Sequence, residues 1–238
     1  MNRIAAVFAT SIASLGLASA SLASPITLQY TGFVSPPAPT GTITNNGAGQ
    51  SAAAGQFNFN VLTDNDGVYW DSTLQAFCID IGSNLVTNSP ATYSFNSAAG
   101  SARLNNQQLA LIGQLYDNHA AALGNNINDA AFQLALWEIV YEAPNTLSLS
   151  NGDFSSTAFG PNGGARTVAN DWLAGLDLNS LALSSQWEFF VLEAISPIPN
   201  QALLVAREIA VSEPATLVLL IGGLGLGLMF HRRRQPQS

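Results

Sequence analysis

The chain has 238 residues, seven arginines, no lysine and fifteen acids, for a net charge of −8 and a pI near 4.4. Setting the two ends aside, residues 24–211 keep three arginines against fourteen of the fifteen acids, a net charge of −11. Such a surface repels phosphate backbones and excludes nucleic-acid binding, and a single cysteine excludes a disulfide framework.

Residues 1–23 read as a secretory signal peptide. Arg3 supplies the positive start, Ile4 to Leu17 is a short apolar stretch, and Ala18-Ser19-Ala20 and Ser21-Leu22-Ala23 both fit the small-x-small cleavage rule. Cleavage after Ala23 is the preferred reading. Export makes the unpaired Cys78 an anomaly, because exported cysteines are normally bridged. Such a thiol is a buried hydrophobe, half of an intermolecular disulfide, or a reactive group.

The body, 24–211, opens with a strand at Ile26 to Val34. Residues 35–55, rich in Pro, Gly, Ser, Thr and Asn, read as a long loop. Gln56 to Thr63 alternates with period two and reads as a strand. Asp66-Gly67 is a hairpin turn signal, and Val68 to Ile81 gives one or two strands with Cys78 near the end of the run. Ala91 to Asn96 is another short strand. Beyond Gly100 the period changes. Leu104 to Leu123 and Ile127 to Tyr141 carry apolar residues at helical spacing, bracketing Gly124-Asn125-Asn126, with Asn128 as N-cap of the second helix and Pro144 just past its end. Residues 145–164 return to loop character. Ala165 to Leu176 reads as a third helix and Gln186 to Ile195 as a strong strand. Strands, a helical hairpin, then strands predict an α+β fold: a β-rich sandwich or barrel-like body with a helical-hairpin insert.

The C-terminal segment, 212–234, has three parts: Ser212-Glu213-Pro214, an uncharged apolar run from Ala215 to Phe230, and Arg232-Arg233-Arg234 behind His231. The run reads as a transmembrane helix of marginal length, with the arginine cluster holding the C-terminus on the cytoplasmic side. With Glu213-Pro214-Ala215-Thr216 before it and the arginines behind it, this tail resembles the PEP-CTERM sorting signal, with Ser212 in place of the first proline. The resemblance implies an exosortase-type processing enzyme acting after signal peptidase. It also implies passage through the inner membrane to the cell surface or extracellular matrix, and a link to exopolysaccharide and biofilm.

Two short motifs carry the chemistry. Phe77-Cys78-Ile79-Asp80 lies on a strand, and Phe132-Gln133-Leu134-Ala135-Leu136-Trp137 lies inside the second helix. Together they resemble the thioester domain of bacterial surface adhesins, over about Val68 to Tyr141. The resemblance implies that Cys78 sulfur and the Gln133 acyl carbon form an internal thioester with loss of ammonia, in a β-rich body with a helical insert. A thiol attacks an amide only when held at near-attack distance, which rigid elements can supply. Apolar Phe77, Ile79, Phe132, Leu136 and Trp137 would keep water from the bond. The absence of lysine removes the nearest competing amines; compositional drift would leave the same pattern.

The expected role is one-time covalent attachment to a target amine or hydroxyl, a protein lysine or a polysaccharide, in adhesion or matrix cross-linking. That is single-turnover chemistry and not enzymatic catalysis, and it requires no cofactor. The competing reading is a passive matrix protein with an inert buried thiol. Other signals are weaker. Asp64-Asn65-Asp66-Gly67 lacks the distal glutamate of a calcium loop and reads as a turn. His119 is the one histidine of the body, too few for a metal site, and a Cys78–His119 dyad lacks any nucleophile loop. Trp70, Trp172 and Trp187 read as core.

Overall fold

A computed structural model describes residues 25–64, 72–142, 146–195 and 200–210. The signal peptide, the Asp66-Gly67 turn, Trp70, Pro144 and the whole C-terminal tail lie outside these residues. Among the described residues no helix is long and apolar enough to cross a membrane.

Among the described residues, nine strands and three α-helices form an α+β fold. Its body is a closed barrel of six strands: β1 (Ile26–Phe33), β4 (Phe57–Asp64), β5 (Thr73–Cys78), β9 (Leu203–Glu208), β8 (Trp187–Ala194) and β6 (Ala91–Ser97), in that order around the wall. All six neighbouring pairs are antiparallel, and β1 closes on β6 through Ile26 opposite Tyr93. Alternating strand residues point inward, so Ile26, Leu28, Phe59, Leu74, Tyr93 and Leu192 are fully buried. Closure removes the exposed strand edges that an open sheet would carry.

A second sheet, in the order β3 (Ala48–Ala53), β2 (Thr40–Asn45), β7 (Phe154–Ser156), occupies the region read as loop from the sequence. The hairpin between β2 and β3 turns on Asn46-Gly47, both with positive φ (49° and 79°), as a type I′ turn requires. β7 likewise replaces part of the expected loop after residue 145. Strand β9 occupies residues to which sequence patterning gave no element.

The helices are α1 (Asn106–His119), α2 (Asn126–Tyr141) and α3 (Gly164–Ala174). Helix α1 starts with a full capping box, in which Asn105 accepts from Gln108 N–H and Gln108 accepts from Asn105 N–H, both at 2.9 Å. The cap of α2 is Asn125 and not Asn128, because the Asn125 side chain accepts from the Asn128 N–H at 3.0 Å. Helix α2 is apolar nearly all round, with eleven buried residues from Asp129 to Ile139, since it packs between the barrel and the other two helices. The expected hairpin insert is therefore a three-helix layer with α2 at its centre.

Near the end of α2, Glu138 is fully buried. Its Oε1 accepts from Ser148 N–H at 2.6 Å, which ties down the chain leading to β7, while Oε2 has no partner. Burial pushes its carboxyl up from the ordinary 4.5 to about 7, with the Glu142 charge adding and the Ser148 N–H opposing. A carboxyl raised in the folded state binds its proton more tightly there than in the unfolded chain. Its contribution to stability is therefore full below about pH 4.5 and is lost as pH rises through 7. Chemical unfolding across pH 5–8 should show a fall on the order of 3 kcal/mol, and Glu138→Gln should flatten it.

Candidate functional site

Cys78 is the last residue of β5, and its side chain is fully buried. On one side β5 pairs with β9, and Ile79 N–H continues that ladder by donating to Ala202 O at 3.0 Å. Backbone groups alternate along a strand, so Cys78 N–H and C=O point the opposite way, towards β4. The ladder between β4 and β5 ends at Phe57 opposite Ala76, two residues short of Cys78. The vacant place is taken by Gln133 from α2. Its Oε1 accepts from Cys78 N–H at 2.9 Å and its Nε2 donates to Cys78 O at 2.8 Å. One buried side-chain amide thus stands in for the missing strand, and residues 55 apart in sequence meet at one backbone unit.

The apolar walls follow from the same two elements. Phe77 stacks on Phe132 with centroids 4.7 Å apart, and the Tyr116 ring meets Phe132 edge-on at 4.7 Å. Ile79, Leu136 and Trp137 are also buried. The five residues expected to enclose the pair are all in the core, on β5, just past it, or on α2.

The sulfur sits in a tight turn: Sγ–H donates to Asp80 O at 3.2 Å and Asp80 N–H donates back to Sγ at 3.3 Å. Burial pushes the thiol up to about 12; the Asp80 N–H, the Trp137 indole and Arg103 favour the thiolate, and the Asp80 carboxylate opposes it. An unreacted Cys78 is therefore a neutral thiol near neutral pH, unreactive towards soluble electrophiles. The Trp137 Nε1–H is buried with no geometric hydrogen-bond partner, although it lies close enough to Cys78 to act on it. Tyr93 Oη is also buried and unpartnered; burial pushes its pKa up, and a Cys78 thiolate would push it further.

Two contributors were not assigned from the sequence. Tyr141 Oη accepts from Ile81 N–H at 3.1 Å and donates to Ile79 O at 3.0 Å, fixing the backbone just past Cys78. Gln133, Trp137 and Tyr141 are spaced i, i+4, i+8 and so form one stripe along α2. Asp80 was noted only as a motif member. Its carboxylate caps the next turn through Gly82 N–H (3.0 Å) and the Ser83 hydroxyl (2.9 Å), and lies 3.8 Å from Arg103.

The weaker candidates lie elsewhere. His119 stacks on Trp172 (4.4 Å, 13°), and Trp187 packs against Tyr116. Among the described residues there is no group of three potential metal ligands. Glu213, Pro214, Ser212 and Arg232, Arg233 and Arg234 lie outside the described residues.

No family model matches the chain, and no curated protein does either. Among solved structures it is similar to the N-terminal thioester domain of a surface protein from Clostridium perfringens. That likeness has 12% identity and a TM-score of 0.42, over 72% of this chain and 99% of that one. A cysteine-to-alanine mutant of the same domain gives 12% identity and a TM-score of 0.41, over 66% and 90%. Likeness this distant carries no weight for the site, which stands on its own geometry.

The hydrogen-bonding role of Gln133 is separable from any reaction. In a Cys78→Ala background, Gln133→Met should lower unfolding stability by about 2–5 kcal/mol, because two buried backbone groups lose their partners. An unchanged urea midpoint would mean that the amide does not hold the strand.

Proposed function

We propose that the chain is an exported surface protein that forms an internal thioester between Cys78 Sγ and Gln133 Cδ and uses it once to attach to a target. The observation that carries this reading is the docking of the Gln133 amide on the backbone of Cys78 itself, with both side chains fully buried. Both hydrogen bonds fix the acyl group beside the one residue that bears a thiol. This is the positional constraint that intramolecular acyl transfer requires.

Formation consumes the thiol and the primary amide: the S–C bond forms, the C–N bond breaks, and the thiol proton leaves with the nitrogen as ammonia. The Cys78 N–H, already on Oε1, supports the oxygen as it gains charge. The product is neutral, which suits a pocket that disfavours a thiolate. Loss of Nε2 removes the donor to Cys78 O, a cost of about 1–3 kcal/mol that adds to the reactivity of the bond. Attack by a target amine then reverses the sulfur's fate: a C–N bond forms, the C–S bond breaks, and an amine proton returns to Cys78. The reaction regenerates no thioester, so the protein acts as a stoichiometric cross-linker. Its export, surface location and tail processing belong to the same proposal and rest on the sequence of residues 1–23 and 212–234.

The intact exported protein should be lighter by one ammonia than its sequence, and methylamine should add at Gln133 while freeing Cys78. Cys78→Ala should abolish both. A full-mass protein whose thiol is alkylated only after unfolding would support the passive matrix reading instead.

Sorting is tested by the C-terminal peptide of surface material. Processing predicts that Leu217 to Phe230 is absent from it, and replacing Glu213-Pro214 should leave a membrane-bound form that retains it. Surface protein still carrying that segment would make the tail a plain anchor.

A further inference from the structure

A cleft of about 280 Å³ lies between the second sheet, the chain from Ile81 to Thr87, and the barrel, and among the described residues only the Trp137 side chain belongs to both this cleft and the surroundings of Cys78. Trp137 lines it, and the same indole acts on the Cys78 sulfur, so the cleft and the buried pair share one wall. Gln50 spans the cleft by donating from Nε2 to Ile81 O at 2.8 Å. Tyr30, Phe33 and Phe57 form an aromatic side, and among the described residues no lining residue is charged. Two buried polar atoms of lining residues lack partners, Trp137 Nε1 and Gln201 Oε1, and Trp137 is only 3% exposed.

Residues of β3 line the same cleft, and β3 is the edge of its sheet. Its register shows which groups are free. Thr42 uses its backbone towards β7, where its N–H donates to Thr157 Oγ1 at 2.9 Å and its C=O accepts from Thr157 N–H at 2.8 Å. Thr42 faces Ser51, so Thr42–Ser51 is a non-hydrogen-bonded pair of the β2–β3 ladder. Ser51, and with it Gly49 and Ala53, therefore turns N–H and C=O outward. Ser51 and Ala53 are both exposed.

Resting on the thioester reading above, we infer that the target is an extended polypeptide that pairs with the β3 edge and directs a lysine into the cleft towards Gln133. An exposed edge with outward N–H and C=O groups recognises a strand through its backbone, and side chains of that strand alternate into and out of the cleft. The body's net charge of −11 draws a cationic segment in. The cleft lining itself is uncharged and partly aromatic, so desolvation lowers the pKa of an entering ammonium and favours the free amine that attacks. Attraction at long range and neutrality at the end suit an amine target. A neutral polysaccharide draws on neither the charge nor the strand edge.

The test uses the purified full-length protein in detergent, with adduct formation at Gln133 followed by intact mass and peptide mapping. Three probes are compared: methylamine, a short β-forming peptide with one central lysine, and the same peptide with prolines at alternate positions, which cannot pair. An amine-free dextran oligomer is the fourth. The pairing peptide should react about tenfold faster than its proline counterpart, because docking raises the effective concentration of the amine. Ser51→Pro, which removes an outward N–H without touching the β2 ladder, should erase that difference and leave the methylamine rate unchanged. Equal rates for both peptides, with methylamine still adding, would overturn the docking proposal and leave the thioester standing. A faster dextran adduct would overturn it in favour of a saccharide. No methylamine adduct at all would overturn the thioester and the proposal with it.

Discussion

A strand that outruns its neighbour leaves an N–H and a C=O without partners, and in a dry core that costs about 1–3 kcal/mol for each group. At Cys78 this debt is met by a single side chain. The β4 ladder stops at Ala76, the Gln133 amide completes it, and α2 is thereby locked onto the barrel at one residue. The burial of α2, the stacking of Phe77 on Phe132 and the two bonds of Tyr141 to the chain past Cys78 all depend on that alignment. A purely structural cap would need no thiol at the capped residue. The placement of the only cysteine there is what turns a packing solution into a candidate reaction centre.

The electrostatics act at two ranges. At the surface, fourteen acids and no lysine make the body attractive to cationic partners and poor in competing nucleophiles of its own. Within the site, burial holds the thiol neutral and leaves the Trp137 indole N–H as a buried donor acting on the sulfur. Such donors are costly in an inert core. They are useful where a sulfur must leave with negative charge, because they favour the thiolate without admitting water.

Much of this was legible in the sequence where periodicity is strong. The ends of β1, β4, β6 and β8 and all three helices fall within a few residues of their patterns. The second sheet was not, because β3 is short, exposed and made of Ala, Gly, Gln and Ser, with no apolar face to show a period of two. Its one clear signal was Asn46-Gly47, a two-residue hairpin dipeptide hidden among other turn-forming residues. Asn128 reads as the N-cap of α2, but the geometry makes Asn125 the cap, a choice among neighbouring asparagines that only the backbone decides. Closure of β1 on β6 is a long-range pairing that no local pattern encodes. At the site, the motifs singled out Cys78 and Gln133 by likeness, but the partner of the Gln133 carbonyl was not readable. It is the N–H of Cys78 itself, and it follows from where β4 ends.

The central claim is a covalent bond, and an experimental structure at a resolution that separates bonded from non-bonded atoms tests it most directly. The account predicts continuous density from Cys78 Sγ to Gln133 Cδ with no atom at the Nε2 position. Separate density for a thiol and an intact amide, still joined to the Cys78 backbone by two hydrogen bonds, would contradict it.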